Sequence, residues 1–199
     1  MNLREAIHNR RSIRRYTRQQ ISEETIARLL DSAIWAPSAH NRQPWRFAVV
    51  RSESVRSTLA KAMGEQLRAD RLADGDPREV VEADAQRSFN RITGAPTVIA
   101  FCLTMKEMDA YPDLRRKKAE YVMAAQSTAM AMQNFLLVAH AEGLAACWLC
   151  APLFAPDAVT SILGLPSDWE PQGLITLGYP AAEPKLKSRK PVEVVTLWR

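Results

Sequence analysis

The segment Arg10-Arg11-Ser12-Ile13-Arg14-Arg15-Tyr16 packs four guanidiniums, a hydroxyl and a phenol into seven residues. Cations this close repel one another, so an anionic neighbour stabilises them. Guanidinium forks hold phosphate through paired hydrogen bonds, and a serine hydroxyl adds a short donor. The segment suits a phosphate cradle; it equally suits a solvated basic face or a nucleic-acid patch. It closes a short stretch, residues 3–9, in which Leu3, Ala6 and Ile7 share a face at helical spacing. A stiff polar loop follows at Pro37-Ser38-Ala39-His40-Asn41-Arg42-Gln43-Pro44-Trp45. Two prolines around small polar side chains make an ordered loop rather than a linker, and Ser38, His40, Asn41 and Gln43 could line a site. Lys185, Lys187, Arg189 and Lys190 form a second basic group near the other end of the chain. The two basic groups could converge on one anion or lie apart.

Other chemistries lack their parts. Only seven glycines are present, with neither a Gly-x-Gly-x-x-Gly nor a Walker-type loop, so an anion site must use side chains. Cys147-Trp148-Leu149-Cys150 has the C-x-x-C spacing. On a strand, residues three apart face opposite ways, and no second cysteine pair exists to complete a zinc site. His8 and His140 fall in helical stretches, and no serine, cysteine and carboxylate context suggests a triad. Asp113, Glu120, Asp168 and Glu170 suggest capping and ion pairing rather than paired-acid catalysis. A bound organic cofactor would then carry the reaction, with the protein supplying position and charge.

The chain must hold these residues in one fold. Its 199 residues suit a single domain. Apolar residues make up 47% and charged residues 25%, ordinary for a globular protein. No apolar run reaches the ~18 residues of a membrane span. The first residues lack the apolar core of a signal peptide, so a cytoplasmic location is expected. Three cysteines imply no disulfide framework. Ser22-Glu23-Glu24 starts a helix that ends before Pro37. Residues 46–51 read as a strand, 54–72 as a helix, and the charged stretch 77–92 as a helix that could be a mobile lid. Residues 96–103 are a near-continuous apolar run, as in a central strand. Residues 113–143 carry the longest helical pattern, almost uncharged from Tyr121 to its end. A helix apolar on nearly every side is buried on every side, which suggests a core shared with a second subunit and places Met130 and Phe135 at that contact. Short strands are expected at 145–149 and 174–177 and a short helix at 156–163. The apolar tail of Val192, Val194, Val195, Leu197 and Trp198 must dock, plausibly on a partner subunit. Helices and strands mix without regular alternation, so the class is α+β.

Three motifs in order, Arg10-Arg11-Ser12-Ile13-Arg14, the 37–45 loop, and Gly178-Tyr179-Pro180 followed by Lys187-Ser188-Arg189-Lys190-Pro191, resemble the FMN-dependent nitroreductase family across the whole chain. The resemblance implies a nitroreductase-like α+β fold with a mixed central sheet flanked by helices. It implies one FMN-binding domain over residues 1–199 and an intertwined homodimer with FMN sites at the subunit interface. Arg10, Arg11, Ser12 and Arg14 would bind the FMN phosphate and ribityl chain, with Lys187 and Arg189 reaching the phosphate from the C-terminal side. Pro37, Ser38, Asn41 and Gln43 would come from the other subunit. Residues 147–152, including Leu149 and Cys150, would lie along the flavin ring. A narrower likeness rests on Tyr111-Pro112-Asp113-Leu114-Arg115-Arg116, Phe154-Ala155-Pro156-Asp157 and Leu165-Pro166-Ser167-Asp168-Trp169-Glu170-Pro171. It is similar to the nitroreductase-like C-terminal domain of the enzyme that makes the deazaflavin coenzyme factor 420, although no N-terminal ligase domain is present in this chain.

The expected activity is therefore hydride transfer from reduced nicotinamide (NADH or NADPH) or reduced deazaflavin, through FMN, to an electron-poor acceptor. That acceptor could be the dehydro precursor of factor 420. No side chain need be an obligatory acid or base, so no catalytic residue is assigned. The alternative is a non-catalytic flavin- or deazaflavin-binding module. A nucleic-acid binder, suggested by a pI near 9.3, is disfavoured, because no basic groove studded with aromatic residues is evident.

Overall fold

The computed structural model describes residues 1–184 and 188–199. Two short helices open the chain, α1 (Leu3–Asn9) and α2 (Glu23–Ala33). The Asn2 side chain accepts from the Glu5 N–H at 2.9 Å while the Glu5 carboxylate accepts from Asn2 N–H at 3.0 Å, a reciprocal cap. The Ser22 hydroxyl caps α2 through Thr25 N–H. Strand β1 (Trp45–Val50), helices α3 (Glu53–Ala73) and α4 (Arg78–Thr93), strand β2 (Thr97–Leu103) and the long helix α5 (Leu114–Ala141) follow. Strand β3 (Ala145–Leu149), a 3₁₀ turn (Ala151–Phe154), helix α6 (Pro156–Leu163), strand β4 (Glu170–Gly178) and helix α7 (Val192–Val195) complete it.

The strands form one sheet in the order β1-β2-β4-β3, and every pairing among them is antiparallel. A single parallel bridge joins Ser12 to Ala146. All seven residues of β2 are buried. Its alternation sends Ile99 and Phe101 to one face, with Ile175 and Leu177 of β4, against α2 and α5. Val98, Ala100 and Cys102 point to the other, with Leu174, against α3 and α6. Covering both faces explains why β2 reads as a continuous apolar run rather than an alternating one.

Three expectations change. Strand β4 starts at Glu170, not Leu174. Its ladder slips between Phe101 and Cys102, so Gln172 is an extra residue opposite β2, and Pro171 and Gly173 sit at a bulge that accommodates them. Within the single chain, helix α5 is not buried on every side. Phe135 lies inside the chain's own core, its ring edge-on to Phe101 at 5.5 Å, whereas Met130 is 39% exposed. The period of 3.6 divides even an apolar helix into a face turned to its own sheet and a stripe turned out. Residues 77–92 are docked on the fold. Helix α4 packs on α3 with Val81, Ala85 and Ile92 buried, and its charges are used in ion pairs such as Arg68–Glu82 at 2.8 Å. Arg71 joins Asp76 at 2.6 Å and also Asp84. The tail residues Val192, Val194, Val195, Leu197 and Trp198 are exposed on the single chain.

Candidate functional site

The backbone of the arginine segment is sewn into the sheet, while Ser12, Arg14 and Arg15 stay exposed. Arg10 ends α1, its N–H donating to Ala6 O. Ser12 bridges to Ala146 of β3, and Ile13 N–H donates to Ala146 O at 3.2 Å. Three residues on, the Tyr16 hydroxyl reaches Ile13 O and Thr176 Oγ1, each at 2.7 Å. Thr17 N–H donates to Tyr179 O at 2.9 Å, and Ala181 N–H to Arg15 O at 3.1 Å. These bonds bring the segment after β4 back over the arginines. The result is a cavity of about 580 Å³ lined by residues 10–15, Ala182, Glu183, Pro184 and Arg189.

The electrostatics of this cavity ask for an anion. The Arg10 guanidinium is held below its ordinary pKa, first by burial and then by Arg11 and Arg189. The Arg11 Nη1 donates to His8 O at 2.6 Å and Arg10 O at 2.8 Å, but its Nε is buried without a partner. A buried donor left unpaired is costly. A phosphate-like group would supply both the acceptor and the missing negative charge.

The sequence-predicted residues fall into three sets. Arg10, Arg11, Ser12, Arg14 and Arg189 line the one cavity, so Arg189 of the second basic group joins the first. Lys187 lies outside the described residues. Leu149 and Cys150 sit at the end of β3, three residues beyond the bridge at Ala146, about 10 Å along a strand. Cys147 is buried, Cys150 exposed, and both are free thiols, as the strand alternation implied. Burial pushes the Cys147 thiol above its ordinary pKa, against the opposing pull of Arg14 and Arg91.

Pro37, Ser38, Asn41 and Gln43 are not among the residues lining the arginine cavity. They form a separate, tightly built loop. His40 (φ 51°), Asn41 (φ 52°) and Gln43 (φ 48°) all adopt left-handed backbone, which costs a non-glycine residue about 1–3 kcal/mol each and persists only where the surroundings enforce it. Here Ser38 Oγ accepts from Gln43 N–H at 3.0 Å, and Ser127 Oγ of α5 accepts from Ala39 N–H at 3.2 Å.

Sequence reasoning did not place Arg91 near β3; it lies in the last turn of α4, close enough for its charge to act on the buried Cys147 thiol, and it does not line the cavity. A lone arginine in a charged helix gives no signal until α4 is known to dock beside the sheet. Among the described residues no group of three metal-ligating side chains exists, and no helix is long and apolar enough to cross a membrane.

Comparison with known proteins extends these observations. Residues 7–179 match the model of the nitroreductase family. A curated NADH dehydrogenase of Thermus thermophilus is 31% identical over 213 residues, covering 100% of this chain and 97% of its own length. A 5,6-dimethylbenzimidazole synthase of Rhodospirillum rubrum is 31% identical over 201 residues, covering 94% and 89%. Among solved structures, a nitroreductase in complex with FMN from Desulfovibrio desulfuricans superposes with a TM-score of 0.75 at 28% identity, covering 100% of this chain and 97% of that one.

Proposed function

The chain belongs to the nitroreductase family, and on that premise we propose that it is an FMN-dependent oxidoreductase that draws electrons from reduced nicotinamide. The observation that carries this reading is the arginine cavity, where Arg10, Arg11, Ser12, Arg14 and Arg189 meet and a buried Arg11 Nε lacks an acceptor. The terminal phosphate of FMN fits this donor set, and the Desulfovibrio relative was solved with FMN.

Bound FMN supplies a ring that takes up hydride from one substrate and hands electrons to the next. The chain's residues bind and orient it. Arg10, Arg11 and Arg14 would neutralise the phosphate, and Ser12, its backbone fixed by the bridge to β3, would add a hydroxyl. Arg189 closes the cavity from the C-terminal side, with Lys187 expected beside it. Leu149, at the end of the strand that bridges to Ser12, and Cys150, just beyond it, would flank the ring. Pro37, Ser38, Asn41 and Gln43 serve the site of a second copy, and residues 1–199 act as one cofactor-binding unit. Large apolar side chains left exposed on a single chain, among them Trp35 (81%), Met130, Phe154 and Trp198, are available to a second copy in the homodimer that the sequence resemblance implies.

The narrower reading, reduction of the dehydro precursor of factor 420 with reduced deazaflavin as a possible donor, rests on the sequence likeness of residues 111–116 and 165–171. Arg116 is occupied, pairing with Asp113 at 2.5 Å and lying 4.6 Å from the centre of the Tyr111 ring. Arg115 is then the exposed cation left for an acidic acceptor. A second reading follows the Rhodospirillum relative, and formation of 5,6-dimethylbenzimidazole in the aerobic reaction would favour it.

The test is anaerobic reduction. Protein incubated with FMN and dialysed should be yellow, bleach with NADH or NADPH, and recolour on adding a nitroarene. Flavin that stays oxidised with NADH, NADPH and reduced deazaflavin indicates a binding module instead, and protein that retains no flavin overturns the proposal.

A further inference from the structure

The loop that carries Ser38, Asn41 and Gln43 is held from outside by two acidic residues of the segment after β2. Arg42 Nη2 meets Asp109 Oδ1 at 2.5 Å. Arg46 works from the other side. Its Nη1 donates to Gln43 O at 3.1 Å and Trp45 O at 2.8 Å, while its Nη2 pairs with Glu107 Oε1 at 2.8 Å. Thr104 N–H also donates to Pro44 O at 2.9 Å. One guanidinium thus ties a carboxylate directly to the carbonyl of a left-handed residue, and the other brackets the same residue from position 42.

The acidic segment is itself anchored. Asp168 accepts from Thr104 Oγ1 at 2.8 Å and pairs with Lys106 at 3.1 Å. Asp109 N–H donates to Glu120 Oε2 at 3.4 Å, and Glu120 is only 3% exposed. Residues 104–109 are therefore a fixed post with two carboxylates facing the loop. Asn41 N–H donates to Ser38 O and Arg42 N–H to Ala39 O, each at 3.0 Å, so the loop's own bonds set its first turn. The post adds the side-chain ties, to the Arg42 guanidinium and through Arg46 to the Gln43 carbonyl, at a place where three left-handed non-glycine residues fall within four positions.

We propose that Glu107 and Asp109 are positioning residues for cofactor binding, acting through Arg46 and Arg42 to hold residues 40–43 in the backbone form that presents Asn41 and Gln43. The inference rests on the FMN reading above. Neither acid need touch the cofactor. The segment after β2 thereby sets affinity at a site it does not enter, and substitutions there tune cofactor retention.

The test uses the full-length apoprotein, FMN titration followed by flavin fluorescence, and hydrogen exchange at the Ala39 and Gln43 amides. Exposed ion pairs are individually weak, so Glu107→Gln and Asp109→Asn are combined. The pair should raise the FMN dissociation constant about tenfold and speed exchange at both amides, while the thermal midpoint of the apoprotein stays near that of the wild type. Arg42→Glu should weaken FMN, and Arg42→Glu/Asp109→Arg should recover most of the loss. A double variant with wild-type FMN affinity, or a charge swap with no recovery, overturns the clamp alone. Wild-type protein that takes up no FMN overturns the reading beneath it.

Discussion

Gly173→Ala tests how the sheet presents the end of β3 to the proposed cofactor. Gly173 pairs with Phe101 beside the bulge in β4. A methyl group built there would lie 2.5 Å from Trp148 Nε1, 3.1 Å from Trp148 Cδ1 and 2.8 Å from Met132 Cε. Comfortable contacts between heavy atoms of this kind begin at about 3.5 Å, so something must retreat by about 1 Å. The Met132 methyl can swing aside. The Trp148 indole is stiff and packs against the core beneath α5. Overpacking of this kind costs about 1–3 kcal/mol, and each kcal/mol lowers Tm by about 2–4 °C in a chain of this size. Trp148 directly precedes Leu149 and Cys150, so its retreat shifts the strand end expected along the flavin ring. Thermal unfolding of the apoprotein and FMN titration should both worsen, and the smaller ring of Trp148→Phe in the double variant should restore part of each. Unchanged Tm and affinity in Gly173→Ala, or no recovery in the double variant, would refute the reasoning.

Arg10→Ala and Arg14→Ala should each weaken FMN by about 1.5–3 kcal/mol, the worth of a charge-assisted hydrogen bond; equal flavin retention after dialysis of both variants sinks that assignment. Met130→Glu should separate the dimer and release flavin, whereas Phe135→Ala should destabilise the fold of each chain by about 3–5 kcal/mol. Light scattering with urea denaturation distinguishes the two, and a Met130→Glu monomer that keeps its flavin contradicts the shared site. His140 is held below its ordinary pKa by burial first and then by Arg10 and Arg11. Its stabilising contribution is complete above the unfolded value near 6.5 and is lost as pH falls through the lower folded value. The apoprotein's Tm should therefore drop between pH 7 and 5 more steeply in wild type than in His140→Gln; parallel curves count against it.

The cradle was legible in the sequence because its arginines are contiguous, and crowding of like charge is a local property. The arrival of Arg189 in the same cavity depends on the path from β4 back across Tyr16, which charge alone only suggested. Strand β2 was legible because burial on both faces leaves no alternation to misread. The start of β4 was not, since Pro171 and Gly173 signal a turn and only pairing across a bulge overrides that. Met130 and Phe135 looked equivalent on an apolar helix, and the position of the sheet decides which of them is core. The left-handed run at His40, Asn41 and Gln43 contains no glycine to announce it. The acids that brace it, Glu107 and Asp109, read as ordinary loop polarity until the fold brings them against Arg46 and Arg42.

The claim on which the rest depends is that the arginine cavity holds the cofactor by its phosphate. The direct measurement compares FMN with riboflavin, the same ring and chain without the phosphate, by titration of the apoprotein. The cradle predicts saturable FMN binding that Arg10→Ala weakens, and much weaker riboflavin binding that the substitution leaves unaltered. Riboflavin bound as tightly as FMN would contradict it.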